Sequence, residues 1–335
     1  MYYLKDRRRE ADYYSQQVIN EEYSPSVDIF IPTYNESKFI LKRTIIGCTL
    51  LHYKHKKIYV LDDTNRDEMR KLAKELGCYY ITRSDNIHAK AGNLNNALPQ
   101  TNGELIVVFD ADFVPTKNFF ERTIGFFQNP RIGLLQTPQS FYNADPISRN
   151  LGLENILNPE EEVFYRQLQL MKDGVGSVTY AGTSFVVRRS YFEEVGGFVT
   201  ESISEDYFTG IRLSFQGYEI IYLSEKLSAG LAAESISEHI SQRLRWGSGT
   251  LQAFFIKENP LTTPNLNIKQ RLAHLEGILN WFNPISRCIF LLLPFIYSSF
   301  NIIFIKSDFS EFLYIFLPSY IAQIITFHWL SGRTQ

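Results

Sequence analysis

Cysteine is scarce in this chain: Cys48, Cys78 and Cys288 are the only three among 335 residues. An odd, scattered set excludes a disulfide framework, and without clustered Cys and His there is no zinc pattern. A reducing, cytosolic setting fits that usage. An excess of one charge is also missing. Lys and Arg total 34 against 36 Asp and Glu, a net charge of −2. That leaves no basic footprint for nucleic acid. The N-terminus, MYYLKDRRRE, has no apolar core and does not read as a signal peptide. There is no long apolar run before residue 280, no internal repeat and no low-complexity segment. A hydrophobic share of 44% with 21% charged residues excludes a disordered chain.

Aromatic residues are abundant at 15%, and many gather near the C-terminus. Two late runs, Cys288–Ile305 and Phe312–Leu330, carry no Asp, Glu, Lys or Arg. Each is near the roughly 18–20 residues that a membrane span needs. Pro294 falls inside the first, which membrane helices tolerate. A polar gap, Lys306–Glu311, separates them, so the expected form is a membrane hairpin rather than two core helices. Lys269, Arg271 and Arg287 flank the first run, which places residues 1–287 on the cytoplasmic side.

Ahead of these runs, apolar strand signals alternate with helical periods. Strands are expected at Val27–Pro32, Lys57–Asp62, Cys78–Thr82, Leu105–Asp110 and Ile132–Gln136. Helices are expected at Phe39–Leu50, Asp67–Leu76, Ala89–Leu98 and Asn118–Phe127. That rhythm predicts an α/β fold, a mostly parallel sheet flanked by helices, with ligands at the carboxyl ends of the strands.

Acidic residues stand at two such ends. Asp110 and Asp112 follow the most apolar strand and, being alternate, can converge on one hard cation, Mg²⁺ or Mn²⁺; the plainer alternative is a solvated loop. Asp62 and Asp63 could accept hydrogen bonds from a base and a ribose, or could cap the next helix. Lys90 opens a helix, where it could meet a phosphate or stay a surface lysine. Ser204 reads as the N-cap of the next helix, with Glu205 and Asp206 in its first turn; one of these carboxylates is spare for use as a general base. Gln242, Arg243, Arg245 and Trp246 lie in the amphipathic stretch Ser235–Lys257. Two Arg and a Trp can clamp a diphosphate and stack a sugar, or simply snorkel at an interface.

Together the motifs PTYNE (32–36), LDD (61–63), HAKAGNLN (88–95), FDAD (109–112), LLQTPQ (134–139), SED (204–206) and QRLRW (242–246) carry a resemblance. In order and spacing the chain resembles the processive, membrane-embedded family 2 glycosyltransferases of the bacterial cellulose synthase type, over about residues 25–330. The resemblance implies a nucleotide-sugar-binding, GT-A-like α/β domain followed by an interfacial helix and two transmembrane helices. It implies an N-terminal juxtamembrane segment over 1–24, a cytosolic transferase domain over 25–232, interfacial helices over 233–284 and a transmembrane hairpin over 285–331. Thr33, Tyr34, Glu36, Asp62 and Asp63 would hold uridine, and Lys90 and Arg245 the diphosphate. Asp110 and Asp112 would take the metal, Mg²⁺ or Mn²⁺, and Asp206 would be the base. Gly182, Thr183, Glu205, Gln242, Arg243 and Trp246 would form the acceptor side. The implied partners are UDP-glucose, a glucan or lipid acceptor, the bilayer of the inner membrane, and accessory synthase subunits. The family's Phe-Phe-Cys-Gly-Ser segment is matched here by Thr179-Tyr180-Ala181-Gly182-Thr183, which leaves the acceptor open between a β-1,4-glucan, another β-glucan and a glycolipid. Two spans do not wall a polysaccharide channel, so the chain is expected to be a fragment of a longer enzyme, or else a short relative that exports no polymer.

Overall fold

The computed structural model describes residues 4–156, 160–257, 259–303 and 306–331. It divides into two compact units, Met1–Leu275 and Glu276–Gln335.

The first unit opens with α1 (Arg8–Ile19) and a βα series: β1 (Val27–Thr33), α2 (Lys38–Thr49), β2 (Lys56–Asp62), α3 (Asp67–Glu75), β3 (Tyr79–Thr82), α4 (Ala89–Ala97) and β4 (Leu105–Val108). Then come β5 (Val114–Pro115), α5 (Phe119–Thr123), β6 (Ile132–Gln136), α6 (Pro146–Asn150), α7 (Glu160–Val163), α8 (Gln169–Val175), β7 (Phe185–Arg188) and α9 (Arg189–Glu194). The unit continues through α10 (Glu205–Phe215), β8 (Glu219–Tyr222), β9 (Ser228–Ala229) and α11 (Ile236–Leu251). Helix α12 (Ile268–Leu279) runs across the division, and α13 (Asn283–Phe300) and α14 (Phe309–Ser331) belong to the second unit.

Seven strands form one sheet in the order β3-β2-β1-β4-β7-β6-β8. All neighbours are parallel except at β7, which runs antiparallel to both β4 and β6. Strands β1, β4 and β6 are buried on both faces, so they are mainly apolar rather than alternating. Every residue of β1 is buried. Side chains divide by parity: Ile29, Ile31, Val60 and Val107 enter one core cluster, while Phe30, Leu61, Ile106 and Val108 enter the other. From β1 the chain steps outward to β2 and β3, then crosses back to β4 on the other side of β1. That reversal opens a crevice at the carboxyl ends of β1 and β4.

The expected helix over Asn118–Phe127 tightens after Thr123 into a 3₁₀ turn, Ile124–Gln128. Gly125 lies in that turn, where a Cβ would come within 2.5 Å of Tyr14 Cβ, so α1 packs directly on its backbone. The N-terminal segment is anchored further along. Arg7 donates to both carboxylate oxygens of Asp173 on α8, at 2.6 and 3.0 Å, and both residues are buried. Arg122 reaches Asp12 at 2.8 Å and also holds Glu225.

Helix α11 starts with a capping box between Ser235 and Glu238. Ile236, Ile240 and Leu244 form an exposed apolar stripe along it. In the second unit the apolar side chains are largely exposed; Leu291 is 70% exposed and Ile315 73%. Among the described residues two stretches, Ile268–Phe300 and Phe309–Thr326, are helical, long and apolar enough to cross a membrane. The run Cys288–Ile305 is not helical throughout. Its helix ends at Phe300, where Asn301 takes a left-handed φ of +53°, and residues 304–305 lie outside the described residues.

Candidate active site

A cleft of about 1010 Å³ lies at the carboxyl ends of the central strands. It gathers Thr33 at the end of β1, Tyr34 and Glu36 after it, Asp63 after β2, and Lys90 at the start of α4. Asp110 and Asp112 follow β4 into it, and Gly182 precedes β7. Glu205 and Asp206 enter from the first turn of α10, and Gln242, Arg245 and Trp246 from α11. Three expected site residues, Asp62, Thr183 and Arg243, do not line it.

The two acidic residues at the end of β2 divide the alternatives between them. Asp62 is buried and accepts from Arg66 N at 2.8 Å, Thr64 N at 3.2 Å and Tyr80 Oη at 2.8 Å. Both of its oxygens are spent on the turn into α3, so it braces the turn instead of meeting a ligand. Asp63 faces the cleft and is gripped by Arg83, whose Nη2 donates to Oδ2 at 2.8 Å. Arg83 also donates to the Ile87 and Ala89 carbonyls at 2.7 and 2.9 Å. Those bonds hold the turn before Lys90, where His88 and Ala89 have φ of +63° and +43°, a strained conformation for side-chain-bearing residues.

The PTYNE loop is similarly tied. Glu36 Oε2 accepts from Thr33 Oγ1 and Tyr34 N, each at 2.7 Å. Arg66 Nη2 donates to Thr33 Oγ1 at 2.8 Å. Arg66 and Arg83 carry no sequence signature, because each ties a strand-end carboxylate to groups of a neighbouring loop that only folding brings together.

Lys90 Nζ lies 2.5 Å from Asp110 Oδ1 and donates to the Gly182 carbonyl at 2.8 Å. Burial opposes its charge, but Asp110, Glu205 and Asp206 outweigh that and hold the ammonium above its ordinary value. It is therefore charged at any working pH. Asp112 is pushed up to about 6, first by burial and then by Asp110 nearby, with backbone amides opposing. Two like-charged, hard oxygen donors held together in a partly desolvated place suit a divalent cation. Among the described residues no three His, Cys, Asp or Glu side chains converge as a ready metal cage. Asp110 and Asp112 could thus supply part of a coordination sphere, the rest coming from phosphate oxygens and water.

Ser204 stands at the N-cap position of α10 but its side chain makes no capping bond. Its role is packing. A Cβ on Gly249 would meet Ser204 Oγ at 2.0 Å and Ser204 N at 3.0 Å. Gln252 Oε1 accepts from Ser202 Oγ at 2.7 Å and Ile203 N at 3.1 Å. These contacts dock α11 on the entry to α10, bringing SED and QRLRW into one cleft. Gly249→Ala is expected to destabilise the unit by about 1–3 kcal/mol through this overlap. A thermal melt of parent and variant checks it.

Burial pushes Asp206 up to about 7, and the adjacent Glu205 carboxylate adds to the rise. The Tyr207 amide and Lys90 pull the other way. Glu205 is itself raised by burial, against Lys90. Gly182 closes over this pair: its φ is +78°, and an added Cβ would lie 2.9 Å from Asp206 Oδ2. Thr183 is buried behind it, its Oγ1 accepting from Asp110 N at 2.9 Å. Arg243 pairs with Glu161 at 2.6 Å and lies over the Trp246 ring at 5.2 Å. It steadies the indole from outside the cleft.

A family model described as glycosyltransferase like family 2 matches residues 25–249, and one described as cellulose synthase matches 190–333. The chain is 39% identical, over 92% of its length, to the cellulose synthase catalytic subunit [UDP-forming] of Pseudomonas fluorescens (strain SBW25). It is 40% identical, over 85% of its length, to the cellulose synthase 1 catalytic subunit [UDP-forming] of Komagataeibacter xylinus. It spans 42% and 39% of those two relatives. Among solved structures, a mannosyltransferase from Pyrobaculum calidifontis in complex with GDP-Man and Mn²⁺ shares the fold, with a TM-score of 0.56 and 18% identity, covering 85% of this chain and 89% of that one. The α/β fold and the family match agree: the chain belongs to glycosyltransferase family 2, with cellulose synthase catalytic subunits among its relatives.

Proposed function

We propose that this chain carries the donor site and catalytic base of a membrane enzyme that moves glucose, with inversion, from UDP-glucose to the end of a β-1,4-glucan. The observation that carries the reading is the place of Asp206. A carboxyl raised to about 7 shares one cleft with a charged lysine, two strand-end carboxylates and a tryptophan.

In this reading Tyr34 and Asp63 bind the nucleoside, while Lys90 and Arg245 hold the diphosphate. Trp246 offers an aromatic face to the acceptor sugar. The acceptor hydroxyl gives its proton to Asp206 as its oxygen attacks the anomeric carbon and the diphosphate oxygen departs. Lys90 and Arg245 offset the charge that gathers on that oxygen. Asp110 and Asp112 would hold Mg²⁺ or Mn²⁺, which supplies further neutralisation of the diphosphate when bound. The two apolar helices support a bilayer setting for the enzyme, and the basic residues flanking the first of them support a cytoplasmic side for residues 1–287.

The test supplies radiolabelled UDP-glucose and Mg²⁺ to membranes containing the full-length enzyme that carries this chain. An insoluble product digested by a β-1,4-glucanase is expected. Label extracting into organic solvent would redirect the reading to a glycolipid acceptor, and no incorporation from UDP-glucose would overturn it.

A further inference from the structure

The LLQTPQ motif has no part in the chemistry above, yet its two glutamines touch the site's tightest turn. Gln136 ends β6 and is fully buried. Its Oε1 accepts from Ala181 N at 2.9 Å, and its Nε2 donates to the Thr183 carbonyl at 2.9 Å and the Thr137 carbonyl at 2.7 Å. One side-chain amide thus grips the chain on both sides of Gly182. Gln139 lines the cleft, and its Nε2 donates to the Ala181 carbonyl at 2.7 Å. Thr137 completes the seam, its Oγ1 donating to the Ser184 carbonyl at 2.7 Å.

Gly182 is the point where this grip meets the reacting groups. Its carbonyl accepts Lys90 Nζ at 2.8 Å, and its Cα lies against the Asp206 carboxylate. A left-handed φ has no strong backbone preference behind it, so the conformation is set by what holds the neighbours. Two glutamine amides, placed by the end of β6, provide that hold. Both are neutral, so they fix geometry without adding charge beside Asp206.

We propose that Gln136 and Gln139 are positioning residues for the acceptor side of the reaction: they fix Gly182, and through it the places of Lys90 and Asp206. The inference rests on the transfer reading above. It follows that a loosened clamp misplaces the base relative to a sugar hydroxyl more than relative to water. Water then attacks the anomeric carbon in the acceptor's place, passes its proton to Asp206, and releases glucose and UDP.

The full chain in lipid nanodiscs, given labelled UDP-glucose and Mg²⁺ with a cello-oligosaccharide acceptor, reports transfer and hydrolysis together. Gln139→Leu removes one bond at a partly exposed position. It is expected to slow transfer about tenfold, to raise the ratio of hydrolysis to transfer, and to leave the KM for UDP-glucose within about twofold. Gln136→Glu keeps the acceptor for Ala181 N–H but loses both donors, and should act in the same direction by about 10²-fold. A parent-like ratio in both folded variants overturns the proposal. Hydrogen exchange reads the clamp without turnover: amides in 181–184 should exchange about tenfold faster in Gln139→Leu. Unchanged exchange there overturns the proposal whichever sugar is used. A parent chain that turns over no UDP-glucose overturns the activity reading instead.

Discussion

Asp206→Asn should abolish most glucosyl transfer, lowering the rate by about 10³-fold, while UDP still binds with parent-like affinity. Asparagine keeps the shape and the hydrogen bonding of the carboxamide plane but cannot take a proton. The parent should show a rate that rises with pH and levels above about 7, where Asp206 has ionised. Stability should move the other way. The native carboxyl keeps its proton up to about 7, whereas an unfolded chain loses it near the ordinary 3.8. Across that window the folded state binds more protons, so unfolding free energy falls as pH rises. The variant has no such group, so its melting temperature should exceed the parent's at pH 8 and match it near pH 3.5. Near-normal transfer by Asp206→Asn would remove this residue from the base role.

Lys90→Ala is expected to cost about 10²–10³ in rate and to raise the KM for the donor as well. The ammonium touches Asp110 and the Gly182 carbonyl at once, and it opposes the rise of both Glu205 and Asp206. Without it the Asp206 carboxyl should be held higher still, so the rising limb of the rate profile should move to higher pH. Lys90→Arg should rescue little, since a planar fork does not fill a point-charge position between a carboxylate and a carbonyl. A rate profile unmoved in Lys90→Ala would show that Lys90 and Asp206 do not sense each other.

Much of this arrangement was legible in the residues. Strands β1, β2, β4 and β6 were readable because buried strands are mainly apolar; β3, partly exposed, was readable as a short run of Tyr, Ile and Thr after Gly77. Strand β7 was not, since its four residues give no sign that the chain will enter the middle of a parallel sheet backwards. Asp62 and Asp63 look equivalent in sequence. Only the register of β2, which points one inward to Arg66 and Tyr80, separates them. SED and QRLRW were paired through resemblance; the physical cause is Gly249 and Gln252, which no spacing rule picks out. Arg83 and Gln136 were invisible for a related reason. Apart from Asp63 on Arg83, their hydrogen-bond partners are backbone groups, and backbone groups leave no letter in a sequence.

The Arg7–Asp173 pair links residues 166 positions apart. Closing so long a loop is slow, and it cannot happen before α8 exists. During synthesis α1 would therefore settle only after α8 has emerged, waiting with Arg7 solvated while the 166 positions between the partners are made. Replacing Arg7 with alanine would leave Asp173 buried without its counter-charge, so a residue made well before α8 acts as a late lock on the assembled domain.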